Sequence, residues 1–415
     1  MKKPAQKICV ISVDFLPRLG GVSMMTHHLA NALATNGAEV MAIGPKGSQI
    51  PPGLNAKYRL TVDQQSRPER RDHWDGIKED GRIKNFIMSV HAEFPFERVL
   101  LMHPFYYGPA VASFCRAANV DLSVMFHGTE LLSQLIARTR IRNIRSKLLR
   151  LGPSLLSRTR EVATAADEIL TNSNYTANIV RQLRTGTPIR PIGCGIDVTD
   201  YDRQLEPVPK YDLAKKHSLR KELGLPPEKL IVGTICRLVP SKNVDMLVRA
   251  VSQMPYAAGV VIGAGPESDK LKQLARDLRC QGRMHWFQDV SEERKWKLLQ
   301  LMDAFCLLSK PGRTGEMEGF GIALLEASAA GTPVIAAASG GMTEVVSHGE
   351  NGFVVPVDSD WKLVNAVNTL VFYPQLATQQ VARARKLIRE EFNWNAIAAK
   401  LLEQWQDSVV KDEAA

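Results

Sequence analysis

The run EGFGIALLEASAAGTPVIAAASGG, from Glu318 to Gly341, carries the pattern of a helix set between two strands. Ala304–Leu308 upstream is a short apolar stretch that reads as a strand, and Gly319 and Gly321 mark the loop that precedes the helix. A helix over Gly321–Ala330 follows, with Gly331 just past its end and Pro333 blocking any extension. Pro333–Ala337 reads as the next strand. Strands that are apolar throughout, joined by a helix, build parallel pairs covered on both faces.

The alternation extends in both directions. In the second half, Leu230–Cys236, Ala258–Ile262, Met284–Phe287 and Gly352–Val355 read as strands. Asn243–Gln253, Ser268–Leu278 and Glu292–Met302 read as helices between them, and Trp361–Phe372, Gln375–Glu390 and Asn395–Val409 as the closing helices. In the first half, Lys7–Val13, Glu39–Gly44, Arg98–Met102, Leu122–Phe126 and Glu168–Thr171 read as strands, with a helix over Val22–Asn36. Gly47–Gly81 is polar and reads as a surface excursion. Asp200–Pro227, rich in Pro, Lys and Asp, reads as a linker and the first turns of a second domain. The expectation is an α/β protein of two Rossmann-like doubly wound domains, over residues 1–205 and 206–390. Open α/β sheets bind ligands beyond the carboxyl ends of their strands, which makes a cleft between the two domains the default site.

Bulk properties agree with two domains. The chain has 415 residues, 45% of them hydrophobic and 23% charged, as in a soluble globular protein. No apolar run approaches the roughly 20 residues that span a bilayer. The N-terminal MKKPAQKICVISVDF reads as a first buried strand rather than a leader, so a cytoplasmic protein is expected. Cys9, Cys115, Cys194, Cys236, Cys280 and Cys306 are scattered without a CxxC pair, so reduced thiols are expected, with no zinc site and no disulfide framework. The net charge of +10 favours anionic partners without choosing among nucleotide, membrane and nucleic acid.

Several short motifs carry chemistry. Glu318 and Glu326 stand on either side of a helix N-terminus, whose free N–H groups and dipole suit phosphate. That layout fits a ligand with hydroxyls at both ends and phosphates between, as in a nucleotide-sugar. Arg237 and Lys242, in CRLVPSKN just past the first strand of the second half, place two cations where a diphosphate is neutralised; a solvated basic loop is the plainer reading. His127–Gly128 follow the strand LSVMF, so the imidazole falls at a sheet's carboxyl edge, as ligand group or as loop histidine. Gly20–Gly21, between a strand and a helix, allow close approach of a phosphate or form a simple turn. Gly263–Ala264–Gly265 is half of a dinucleotide fingerprint, and a tight turn at the cleft edge reads better than an NAD site. Asp358–Ser359–Asp360 has the form of a metal-binding DxD but stands where an Asp caps a helix.

Leu131–Arg160 contains no acidic residue and interleaves eight basic side chains with leucines and isoleucines. Such a helix suits an anionic membrane surface, and equally a helix packed on the first domain with a solvated basic face. It lacks the aromatics that commonly stack bases, so no nucleic-acid partner is expected.

With these residues in place, the chain resembles the retaining glycosyltransferases of the GT-B fold, family 4, the group with the E-x7-E motif. The likeness runs through Gly20–Gly21, His127–Gly128, TNSNYTANIVRQL, GCGID at Gly193–Asp197, RLVPSK, GAGPESDKL and EGFGIALLEASAAGTPVIA, then SGGMTEVV, NGFVV and FNWNAIA. The resemblance implies that Glu318 meets the donor sugar's hydroxyls, Glu326 the ribose, and Arg237 and Lys242 the diphosphate. It implies backbone contacts from Phe320, Gly321 and Ile322, sugar contact from His127, and Gly20–Gly21 bordering phosphates and acceptor. Gly263 and Gly265 would lie at the edge of the donor site. It further implies an acceptor-side first domain, a nucleotide-sugar-binding second domain, and a last helix, about 392–411, packed back on the first. No metal is expected, and the DxD is left as a helix start. Cys194 departs from the pattern, which often has Asn there, and Gly312–Met317 is a local insert, expected to lie within reach of donor or acceptor.

The implied activity is transfer of a hexosyl unit from a UDP- or GDP-sugar to an acceptor hydroxyl, with retention. A saccharide or lipid-linked acceptor in envelope polysaccharide or lipopolysaccharide synthesis would place the enzyme on the inner face of the plasma membrane. A glycoside phosphorylase of the same fold and a non-catalytic partner subunit are the alternatives. The intact Glu318, Glu326, Arg237 and Lys242 speak against the second.

Overall fold

The computed structural model describes residues 5–18, 20–66, 73–128, 131, 155–197, 213–312 and 315–413. Most of the basic stretch Leu131–Arg160, the centre of the expected linker, and Arg313 and Thr314 of the insert lie outside the described residues. The chain forms two compact units: Met1–Cys194 with Trp394–Ala415, and Gly195–Asn393.

The first unit is built on strands β1 (Lys7–Ile11), β2 (Glu39–Pro45), β3 (Arg59–Asp63), β4 (Arg98–Leu101), β5 (Asp121–Phe126), β6 (Glu168–Thr171) and β7 (Ile189–Pro191). They form one seven-stranded sheet in the order β3-β2-β1-β4-β5-β6-β7. Every pairing is parallel, with Ile8 of β1 in register with Val40 on one side and Arg98 on the other. The polar stretch Gly47–Gly81 is not simply an excursion: it contains β3, and the helix His73–Glu93 begins within it. β3 is an edge strand with only part of its surface buried, so it lacks the apolar run that marks its neighbours.

Helices His73–Glu93, Gly108–Ala118 and Leu155–Ala165 cover one face of this sheet, over a core that includes Ile11, Phe96, Leu101, Phe114, Val124 and Val162. Helix Trp394–Glu413 packs on helix Gly21–Thr35. Trp405 anchors it: the indole is 2% exposed, donates its N–H to Glu168 and lies 4.9 Å from the Arg98 guanidinium.

The second unit carries β8 (Leu230–Ile235), β9 (Ala257–Ile262), β10 (Met284–Phe287), β11 (Ala304–Leu307), β12 (Val334–Ala337) and β13 (Phe353–Val355). Their order is β10-β9-β8-β11-β12-β13, again all parallel. β9 is buried at every residue, which requires cover on both faces. Helices Val244–Gln253, Ser268–Asp277 and Asp360–Phe372 pack together over Val232, Val261, Cys306 and Ile335. Leu213–Glu222, Glu292–Leu301, Ile322–Ala329 and Pro374–Glu390 pack together as a second group.

In both sheets the chain builds outward to one side and then returns to the centre to build the other. The reversal lies between β1 and β4 in the first and between β8 and β11 in the second. Carboxyl ends of strands at such a reversal diverge and leave a crevice. Both sheets thus have the Rossmann-like arrangement that the alternation predicts. Among the described residues no helix is long and apolar enough to cross a membrane.

Candidate active site

β8 ends at Ile235, and the chain turns through Arg237 into one turn of 3-10 helix over Pro240–Lys242. β11 ends at Leu307, and Ser309 and the loop bearing Glu318 follow. These two segments border the strand-order reversal, and they meet. Lys242 Nζ donates to Glu318 Oε2, and Ser309 Oγ donates to the same oxygen at 3.4 Å. The lysine and glutamate side chains are each about one-fifth exposed, at 21% and 19%, so the pair faces solvent only in part. Arg237 is exposed and has no side-chain partner among the described residues. The structure therefore joins Lys242 to Glu318 and leaves Arg237 beside them uncommitted.

Gly321 precedes helix Ile322–Ala329 as its N-cap, with no side-chain cap and no acidic residue in the first turn. Leu324 N–H closes on the Gly321 carbonyl at 2.9 Å, and the N–H groups of Ile322 and Ala323 ahead of it have no intrahelical acceptor. The loop that sets them up is fixed from below. Gly341 donates to the Glu318 carbonyl at 3.0 Å, and a Cβ on Gly341 would come within 2.0 Å of the Gly319 carbonyl oxygen. Phe320 is 3% exposed, with its ring edge-on to Phe392 at 5.7 Å. Its side chain anchors the loop, which leaves only its backbone for a ligand. The far end closes as expected: Gly331, at φ +89°, donates to Ser328, and Thr332 donates to Ala327.

Glu326 lies farther along this helix, and Lys295 holds it at 2.9 Å. Lys295 also meets Glu292 at 2.7 Å. Burial works to lower the Lys295 pKa, but Glu326 and Glu292 outweigh it and the net shift is upward. The two glutamates of the motif therefore have separate cations, one of which the sequence reading did not find. Lys295 sits in EERKWK, whose charge spacing is that of any solvated helix face.

Gly263 and Gly265 have a packing reason. A Cβ on Gly263 would approach the Cys236 carbonyl oxygen to 2.0 Å, and one on Gly265 the Leu238 oxygen to 2.3 Å. The turn after β9 lies directly on the turn that carries Arg237, tied by Leu238 N–H donating to Ala264 at 2.8 Å. Burial pushes the neighbouring Cys236 thiol up to about 11, so it is a packing group and not a nucleophile. In Asp358–Ser359–Asp360, Ser359 takes the N-cap position, where an Asp was expected, and makes no cap bond. Asp360 is in the first turn and accepts from Arg249 Nε at 2.9 Å.

In the first unit, His127 follows β5 and its Nε2 lies 2.9 Å from the Met102 carbonyl oxygen, so that nitrogen donates. Its ring packs on His103 with centroids 5.0 Å apart, and His103 Nε2 is 3.5 Å from Asp14 Oδ2. Asp14, His103 and His127 come from the carboxyl ends of β1, β4 and β5, around that sheet's own reversal. His103 and Asp14 were not singled out from the sequence; each follows an apolar strand with no motif around it. Gly20 is the N-cap of helix Gly21–Thr35, again without a side-chain cap. Among the described residues, no atom beyond the chain neighbours and the helix's own backbone lies within 4 Å of a Cβ built on Gly21.

Each sheet thus brings polar groups to its reversal, a Lys–Glu pair in the second and the Asp14, His103 and His127 side chains in the first, and the sequence of each half matches a known family. Residues 19–200 match the model for Glycosyltransferase Family 4, and residues 215–387 the model for Glycosyl transferases group 1. The chain belongs to the group 1 glycosyltransferases, and its fold is of the GT-B class. It is 26% identical over 401 residues to the GDP-mannose-dependent alpha-(1-6)-phosphatidylinositol monomannoside mannosyltransferase of Mycobacterium tuberculosis, covering 95% of this chain and 97% of that one. The D-inositol 3-phosphate glycosyltransferase of Rhodococcus erythropolis is 28% identical over 264 residues, 60% of this chain and 56% of that one. Among solved structures, sucrose-phosphate synthase from Thermosynechococcus elongatus superposes with a TM-score of 0.76 at 20% identity, covering 98% of this chain and all of that one. Anabaena HepE in complex with UDP and glucose superposes with a TM-score of 0.71 at 19% identity, covering 97% of this chain and all of that one. At such identities the superpositions speak for the fold alone.

Proposed function

We propose that the protein transfers a hexosyl unit from a nucleoside-diphosphate sugar to a hydroxyl of a lipid-linked acceptor, with retention at the anomeric carbon. The observation that carries this reading is the Lys242–Glu318 pair beside the uncapped start of helix Ile322–Ala329, at the reversal of the second sheet. Glu318 accepts from sugar hydroxyls, and Glu326 accepts from the ribose. Lys242 and Arg237 face the diphosphate, whose charge grows as the bond to the anomeric carbon breaks. Backbone N–H groups at Gly321 and Ile322 add the helix dipole to that effect. The acceptor oxygen bonds to the anomeric carbon on the face the diphosphate leaves, and its proton passes to the departing diphosphate oxygen. No metal is assigned a part in this route, and turnover in excess chelator should equal turnover without it.

GDP-mannose is the donor we place first, because a relative aligned over nearly the full chain is described as GDP-mannose-dependent. That relative's name also supports a phosphatidylinositol-type lipid acceptor, and the net charge of +10 suits an anionic membrane surface. An enzyme using such an acceptor would work at the cytoplasmic face of the membrane.

A donor panel tests the reading. GDP-mannose, UDP-glucose, UDP-galactose and UDP-N-acetylglucosamine are each offered with an extract of anionic lipids, and released GDP or UDP is measured. Release of GDP with mannose appearing in the lipid fraction is the expected result. No nucleotide release from any donor, with thermal stabilisation by inorganic phosphate alone, would replace it with phosphorolysis.

A further inference from the structure

Lys242 stands in a turn that ends at Asn243, and Asn243 is unusual in three respects. Its backbone is left-handed, at φ +54°, a conformation that a non-glycine residue takes at some cost. It is 1% exposed. It occupies the N-cap of helix Val244–Gln253 yet makes no cap bond, although capping is what an asparagine side chain commonly does there.

The amide is engaged elsewhere. Asn243 Nδ2 donates to the Val357 carbonyl at 2.8 Å, and Lys310 Nζ donates to Asn243 Oδ1 at 2.6 Å. Lys310 N–H in turn donates to the Ser241 carbonyl at 2.8 Å, on the other side of Lys242 in the chain. The segments after β8, β11 and β13 are thereby tied at one point. Lys310 directly follows Ser309, whose hydroxyl donates to Glu318. If the turn needed only its left-handed backbone, glycine would serve with less strain and without a buried amide to satisfy.

We propose that the Asn243 amide, held between the Val357 carbonyl and the Lys310 ammonium, is a positioning residue that sets Lys242 against Glu318. The inference rests on the reading above, in which Lys242 meets the leaving diphosphate. A small displacement of such a group costs turnover more than donor affinity.

The test uses Asn243→Gly, which keeps the left-handed turn and removes the bonds to Val357 and Lys310 together with a longer one from Nδ2 to Met246 Sδ at 3.6 Å. Turnover should fall about tenfold or more, with a smaller change in donor KM. Asn243→Asp restores an acceptor for Lys310 but sets a carboxylate oxygen against the Val357 carbonyl, so it should recover only part of that loss. Lys310→Met breaks the same bond from the other end, along with a longer 3.9 Å contact to the partly exposed Asp245, and should reproduce the loss even if the glycine variant does not fold. Acting through Lys242, Asn243→Gly should cost nothing further in a Lys242→Ala background. Unchanged turnover in both Asn243→Gly and Lys310→Met would overturn the proposal. So would losses that multiply in the double variant while Lys242→Ala alone is impaired, since that pattern is a general structural effect. A fully active Lys242→Ala would remove the reading of the site itself, and this inference with it.

Discussion

Lys295 Nζ donates to Glu326 Oε1 at 2.9 Å, across two helices that pack side by side, Glu292–Leu301 and Ile322–Ala329. The contact holds the carboxylate in one orientation before any ligand arrives. Glu326→Gln keeps the shape and removes the charge, so nucleotide affinity should fall about tenfold or more, the usual value of a hydrogen bond to a charged group. Lys295→Met should weaken binding in the same direction by releasing the carboxylate. Calorimetry with GDP and UDP reads both; an unaltered Glu326→Gln affinity would take this residue out of the ribose site.

Gly21 offers a way to probe the ligand without disturbing the protein. A Cβ there meets no atom of the described residues beyond its own helix turn and chain neighbours, and at the first position of a helix alanine costs nothing against glycine. Gly21→Ala should therefore melt no lower than the parent. If phosphate or acceptor approaches that helix start, its KM should rise several-fold. An unaltered KM for both substrates would mean that the space is left to water.

Asp303 links pH to the stability of the second unit. Its carboxylate accepts from Lys216 at 2.6 Å, Arg220 at 2.7 Å and the Ile231 N–H at 2.7 Å. Burial acts to raise its pKa, but the Lys216 ammonium, the Arg220 guanidinium and the Ile231 N–H outweigh burial and hold it below the usual carboxylate range. A depressed folded pKa stabilises the fold at pH above the unfolded value, near 3.9, and that share is lost as pH falls through the lower folded value. Asp303→Asn leaves Arg220, 4% exposed, without its carboxylate, and should cost about 3 kcal/mol at pH 7. The gap in melting temperature between parent and variant should narrow below pH ~4. A gap that is constant from pH 7 to pH 3 would contradict the linkage.

The alternation of apolar runs with helical patterns was enough to read two Rossmann-like sheets, because strands buried on both faces announce themselves. β3 escaped for the converse reason: an edge strand with a half-exposed surface has no continuous apolar run. Glu318, Glu326 and Lys242 stand out in the sequence by residue type and spacing, and the structure adds that Lys242 and Glu318 meet. The site was illegible where contact joins distant segments. Nothing in the sequence around Lys295, His103 or Asn243 sets them apart from solvated, core or capping residues. Only the packing of one loop on another shows what each touches, and why Gly263 and Gly265 cannot carry a Cβ.

Trp405 fastens the last helix to the first unit through one buried acid. Its N–H donates to Glu168, which also accepts from Ser123 at 2.7 Å and pairs with Arg190 at 3.1 Å. Trp405→Phe preserves a ring for Arg98 to lie against and removes the donor together with part of the buried indole's volume. It should cost about 2 kcal/mol, and Trp405→Ala about 3–5 kcal/mol with the added cavity. Urea unfolding measures both, and equal costs for the two would mean that the hydrogen bond dominates and the ring packing is minor.

Arg237 and Lys242 follow the same strand end but differ in what holds them: Lys242 is paired and Arg237 is exposed. Lys242 is paired with Glu318, so removing it changes the resting protein as well as its encounter with a diphosphate. Arg237 has no such partner among the described residues and is exposed, so the folded chain gains nothing from its charge that alanine would forfeit. Arg237→Ala should therefore melt within a degree or two of the parent, while turnover falls on the order of 100-fold through loss of charge stabilisation on the leaving group. Arg237→Lys keeps the charge but not the forked donor geometry and should fall between the two. Turnover that stays at the parental level in Arg237→Ala, measured as GDP or UDP release at saturating donor, would leave Lys242 and the helix start as the only groups facing the diphosphate.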